Sequence, residues 1–66
     1  MKNRLKVQRA IHELTQADLA EKIGVTRQSI NAIEKGKYVP STVLALKIAR
    51  LFNEPVENIF TLEDND

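Results

Sequence analysis

Gly24 and Thr26, two residues apart, divide two short stretches that each read as helix, and nothing else in the chain restricts its fold as much. Ahead of the break, Thr15 followed by Asp18 has the spacing of a capping box, in which each side chain bonds the other residue's main-chain N–H. Leu19, Ala20 and Ile23 then recur at the three-and-four spacing of one helix face. Gly24 stops this helix, because a residue without Cβ adopts the left-handed conformation at no steric cost. Beyond the break, Thr26 caps the next helix, Ile30 and Ile33 face inward, and Gly36 ends it. Two helices joined by about three residues with a glycine between them cross at roughly 90–120°. Ala20 has to be small, since the helices nearly touch there.

The remaining punctuation places the other elements. Residues 4 or 5 to 12 are rich in helix formers. Ser41 caps a fourth helix that runs to about residue 52. Leu44, Ile48, Leu51 and Phe52 share one of its faces, while Val43, Ala45, Leu46 and Ala49 make it apolar most of the way round. Such a helix is expected to be covered on several sides. Asn53 suits the left-handed position past its end. Pro55 suits the first turn of a short fifth helix through residue 59. Phe60, Thr61 and Leu62 are β-prone and suit a short strand. The expected class is all-α, with five short helices in one domain over residues 1–62. The helix pair occupies 16–35, and residues 63–66 are expected to fray as an acidic tail.

Composition narrows the function classes. Sixty-six residues without cysteine exclude a disulfide and a thiolate zinc site. A domain of this size buries only about 60% of the surface its unfolded chain exposes. Tight helix packing or association with a second copy has to supply the stability. No apolar run approaches the roughly 20 residues of a membrane span, and no secretion signal opens the chain, so a cytoplasmic protein is expected. The net charge of +1 points faintly away from a polyanion, but it averages two unlike parts. Residues 1–37 hold eight Lys or Arg against four Asp or Glu, and residues 38–66 hold two against five. A basic body with an acidic tail suggests a polyanionic partner for the body. His12 is the only histidine and reads as a surface residue, there being no Cys, Asp or Glu grouping at ligand spacing. No Ser–His–Asp arrangement or glycine-rich phosphate loop is visible. The chain is expected to be no enzyme and to need no cofactor, metal or small-molecule ligand.

The pair at 16–35 is a helix-turn-helix arrangement. The outward face of its second helix carries Thr26, Arg27, Gln28, Ser29, Asn31, Ala32 and Lys35, with no hydrophobe larger than alanine. These side chains are of the types that read base edges: Arg pairs bidentately with guanine, and Gln or Asn with adenine. The stretch TQADLAEKIGVTRQSINAIEKGKYVPS resembles the Cro/cI-type, Xre-like helix-turn-helix regulators of bacteria and phages. The resemblance rests on Gln16, Ala20, Gly24, Ile30, Ile33, Glu34, Gly36, Lys37 and Pro40. It continues into ALKIARLF and the closing Pro-x-x-x-Ile-Phe, and so covers about residues 4–62. Within that family the chain is similar to a compact branch that consists of the DNA-binding domain alone.

The resemblance implies a lambda-repressor-like domain and a sequence-specific regulator that enters the major groove of double-stranded DNA. It further implies a repressor on a palindromic operator, bound as a homodimer. Arg27 and Gln28 match the main base-reading positions, with Asn31 and Ala32 beside them. Gln16 matches the glutamine that contacts a phosphate and braces the recognition helix, and Thr26 and Ser29 match positions that bond phosphates or lie near bases. Lys35, Lys37 and Tyr38 follow the recognition helix, where the family often clamps the backbone, and Tyr38 could equally cap the core. Arg9 and Glu34 match a pair that forms an internal salt bridge in some repressors. Candidates for the dimer contact are exposed apolar residues of the fourth and fifth helices, such as Leu51 and Val56, and the segment from Phe60 to Leu62, which could pair with residues 2–4 as the small two-stranded terminal sheet found near the dimer axis in the compact branch. Three residues depart from the family's pattern. Ala32 can offer only a methyl contact, Gln8 replaces a leucine of the first helix, and Thr42 replaces one at the start of the fourth. The alternative is an antitoxin-like or co-regulator module whose main partner is another protein.

Overall fold

A computed structural model describes all of residues 1–66. The order of elements is β1 (Lys2–Asn3), α1 (Leu5–Ile11), α2 (Gln16–Ile23), α3 (Arg27–Glu34), α4 (Thr42–Phe52), a single 3-10 turn (Val56–Asn58) and β2 (Phe60–Thr61). The two strands pair antiparallel, Lys2 opposite Thr61 and Asn3 opposite Phe60, and so join the two ends of the chain.

Side-chain caps fix where α2, α3 and α4 begin. The Thr15 hydroxyl accepts from the Asp18 N–H at 3.0 Å, and the Thr15 N–H donates back to the Asp18 carboxylate at 3.0 Å. Thr26 receives the Ser29 N–H, and Ser41 receives the Leu44 N–H. Left-handed residues end them: Gly24 at φ 76° closes α2, and Asn53 at φ 56° closes α4. Gly36, at φ 73°, turns the chain just after α3. Each left-handed position saves about 1 kcal/mol when glycine or asparagine occupies it.

The core lies where the helices converge. Leu5, Leu19, Ile30, Ile33, Ile48 and Ile59 are fully buried, with Ala20, Ile23, Leu44, Ala49 and Phe52 packed around them. Burial of each large side chain contributes about 1.5–3 kcal/mol. The spacing of these residues at three and four turns one stripe of each helix inward.

Three expectations need correction. The fifth helix is one 3-10 turn, and Pro55 stands just before it at ψ 143°, outside the helical region. Three residues cannot sustain an α-helical hydrogen-bond ladder, and Asn58 and Ile59 close i→i+3 bonds instead. Phe60, expected at the dimer contact, is only 8% exposed and belongs to the core. Its register opposite Asn3 turns it inward, while Leu62 stays outside at 77%. Finally, α4, expected to be covered on several sides, is buried along one broad face only. Val43 and Leu46 face solvent because the small fold has no further element to lay against them. Beyond β2 the chain makes a turn that brings Asp66 to 3.1 Å from the Met1 ammonium.

Candidate nucleic-acid interface

Helices α2 and α3 pack against each other, and Ala20 on α2 is only 3% exposed. Ile30 and Ile33 anchor the inner side of α3. Its other side leaves Arg27 and Gln28 exposed and Asn31 and Ala32 partly so, with Lys35 following at the helix end. These positions follow the period of an α-helix and form one outward face. No acidic side chain interrupts that face before Glu34.

Glu34 does not join the outward face. Its carboxylate is paired with the Arg9 guanidinium, their side chains being only 8% and 14% exposed. Two bonds run between them: Arg9 Nε donates to Glu34 Oε2, and Arg9 Nη2 donates to Oε1 at 3.1 Å. Arg9 Nη1 also donates to the Leu14 carbonyl at 2.9 Å. One guanidinium thus ties α1 to α3 and to the segment entering α2. Burial pushes the Glu34 carboxyl upward, but hydrogen bonds from Arg9 and Gln16 outweigh it and hold the group below its usual range. Arg9 is held correspondingly above its usual value by Glu34. A bidentate, charge-assisted pair of this kind fixes geometry as well as adding energy.

The same carboxylate reaches the start of α2. Gln16 Nε2 donates to Glu34 Oε1 at 3.1 Å and lies 3.5 Å from the Asn31 Oδ1. Both amide hydrogens of Gln16 are thereby directed within the protein. What Gln16 offers outward as a donor is its main-chain N–H, one of the unpaired amides of the first turn of α2.

At the entry to α3, the Thr26 and Ser29 hydroxyls lie 3.0 Å apart, and Thr26 also accepts from the Ser29 N–H. One hydroxyl hydrogen is consumed between them and one remains free. Lys35, Lys37 and Tyr38 are all exposed at the far end of α3, and Tyr38 therefore does not cap the core. Of the apolar candidates near the C-terminus, Leu51 and Val56 are partly covered by the core and Leu62 is the one fully open. His12 is exposed, its ring centroid 4.9 Å from that of Phe52. No group of three or more His, Cys, Asp or Glu side chains is arranged to hold a metal. No helix is long and apolar enough to cross a membrane.

Asn3 is the residue that the sequence reading passes over. Its Nδ2 donates to the Ile33 carbonyl at 2.8 Å, at the C-terminal end of α3, and its Oδ1 accepts from the Leu5 N–H at 3.2 Å. The terminal sheet is thus fastened to the far end of α3. The only signal is an Asn shortly before a helical run, which suggests a cap but not a partner thirty residues away.

Residues 5–59 match a family profile described as helix-turn-helix. The chain is 61% identical to an uncharacterized HTH-type transcriptional regulator of Methanocaldococcus jannaschii, the match covering 100% of both. It is 50% identical to the uncharacterized HTH-type transcriptional regulator YgzD of Bacillus subtilis, again over 100% of both. Among solved structures it is similar to the SOS-response transcriptional repressor LexA of Eubacterium rectale. That match has a TM-score of 0.80 at 27% identity and covers 94% of this chain and 66% of the other. With most of its length matched, the chain belongs to the helix-turn-helix family of Cro/cI type.

Proposed function

We propose that this protein is a transcriptional regulator that binds double-stranded DNA in a sequence-specific manner, with α3 lying in the major groove. The observation that carries the reading is the exposed face of α3, which groups Arg27, Gln28, Asn31 and Ala32 on a helix locked from behind by Ile30, Ile33 and the Arg9–Glu34 pair. An α-helix fits the major groove, and these side chains match the donors, acceptors and methyl groups displayed there. Phosphate contacts come from both ends of the helix pair. At one end are the Gln16 main-chain N–H and the hydroxyls of Thr26 and Ser29. At the other are Lys35, Lys37 and Tyr38. Such contacts position the protein on the duplex without reading sequence.

A recognition helix of eight residues reaches few base pairs. Two copies on one face of the duplex double the information, with their helices about 34 Å apart. We therefore assign the protein a homodimeric form on a palindromic operator, where it acts as a repressor by blocking access. Leu62, with Leu51 and Val56 on adjoining elements, supplies the apolar contact. The acidic C-terminal end points away from the phosphates, which would repel it.

Binding-site selection from a pool of randomised duplexes tests the proposal. It is expected to enrich a two-fold symmetric site whose half-sites lie about 10 base pairs apart. Failure to enrich any sequence at low salt contradicts DNA reading, and enrichment of a single half-site contradicts the dimer.

A further inference from the structure

We propose that Glu34, acting through Gln16, fixes the side-chain amide of Asn31 with its NH2 group outward, so that Asn31 is a donor-only reader that selects guanine over adenine. This rests on the DNA-binding reading above and specifies what one residue of that site recognises.

An ionised carboxylate can only accept. Glu34 is kept ionised by Arg9, which occupies both of its oxygens. The side chain of Gln16 that meets Oε1 at 3.1 Å must therefore present its NH2. Turned over, it would set a carbonyl oxygen against a carboxylate oxygen. The remaining hydrogen of that NH2 is directed at Asn31 Oδ1, 3.5 Å away. Were Asn31 turned over instead, two NH2 groups would confront each other. The polarity of the ion pair between α1 and α3 is thus passed, through Gln16, to the outer face of α3. The Asn31 Nδ2 makes no hydrogen bond within the chain and is free to donate.

The consequence is a base preference. Asparagine reads adenine by accepting from N6 with its oxygen while donating to N7. Here the oxygen is turned toward Gln16. Guanine presents two acceptors in the major groove, O6 and N7, and these suit an outward NH2. The N6 amine of adenine would meet that NH2 donor to donor. Thr15 and Asp18 fix the start of α2, so Gln16 cannot drift from its place beside Glu34. Gln16 and Glu34 are accordingly positioning residues, and Asn31 is the reader.

The experiment measures affinities for four duplexes that differ only at the base pair where Asn31→Ala abolishes preference. Wild type is expected to favour guanine over adenine there by about tenfold, within the range of one specific base contact. Gln16→Met cannot relay the amide sense, and its guanine-to-adenine ratio is expected to fall to about one while overall affinity also drops. Glu34→Gln, shown to be folded by circular dichroism, is expected to lower the same ratio, because a neutral amide can face Gln16 in either sense. A ratio unchanged in both variants overturns the relay, since a purely structural or phosphate-binding Gln16 would weaken all four duplexes equally. A wild-type preference for adenine, or an Asn31→Ala variant that flattens no base pair, overturns it as well. Failure of wild type to discriminate any sequence is a different result and overturns DNA reading itself.

Discussion

At the residue scale, Glu34 has more depending on it than any other side chain. It is bonded to Arg9 of α1 and Gln16 of α2, and it stands on α3. Glu34→Ala leaves a largely buried guanidinium without its counter-charge, so the loss is expected to be about 3 kcal/mol. Thermal melts monitored by circular dichroism should show this as a fall in Tm of about 12–24 °C. The pair also gives stability an acid limb. Glu34 titrates lower in the folded protein than in the unfolded chain, so the unfolded state binds the proton more readily. The contribution is complete at neutral pH and is lost as pH falls below about 4, through the depressed folded value. Urea melts at pH 7 and pH 3 should show wild type losing more stability than Glu34→Gln. An equal loss would mean that the carboxylate contributes nothing specific.

At the scale of elements, the caps and the basic residues past α3 make separate predictions. Thr15→Ala removes half of the capping box at α2 and is expected to cost about 1 kcal/mol, read from chemical denaturation. Lys35→Ala or Lys37→Ala is expected to lower the slope of log affinity against log salt by about one, with sequence preference kept. An unchanged slope would remove that lysine from the phosphate contacts. The helix ends were legible in the sequence because they depend on local chemistry: Thr15, Thr26 and Ser41 cap, and Gly24 and Asn53 turn. What was not legible depends on contacts far apart along the chain. Asn3 bonding the Ile33 carbonyl and Phe60 turned into the core are both set by the tertiary fold, and so is the choice of Glu34 and Asn31 as the partners through which Gln16 braces α3. Glu13, in a left-handed conformation at φ 57° between α1 and α2, has no sequence signal at all, since that position favours Gly or Asn.

At the scale of the whole molecule, the +1 charge conceals a division of labour. The basic body carries the outward face of α3, and the acids from Glu54 onward gather in the C-terminal part. The exposed Leu62 and the short recognition helix together favour a pair of chains. Light scattering at micromolar concentration is expected to give about twice 7.5 kDa, and Leu62→Glu is expected to give one chain with weakened operator binding. A single-chain mass for wild type, with and without DNA, would contradict the pairing. The central claim is that the outward face of α3 reads bases. Its most direct test is the affinity of wild type and Arg27→Ala for a selected duplex and each of its single-base-pair variants. The account predicts that Arg27→Ala loses discrimination at one base pair of each half-site, by about 1–3 kcal/mol, and keeps it elsewhere. Uniform weakening across all the duplexes would contradict it.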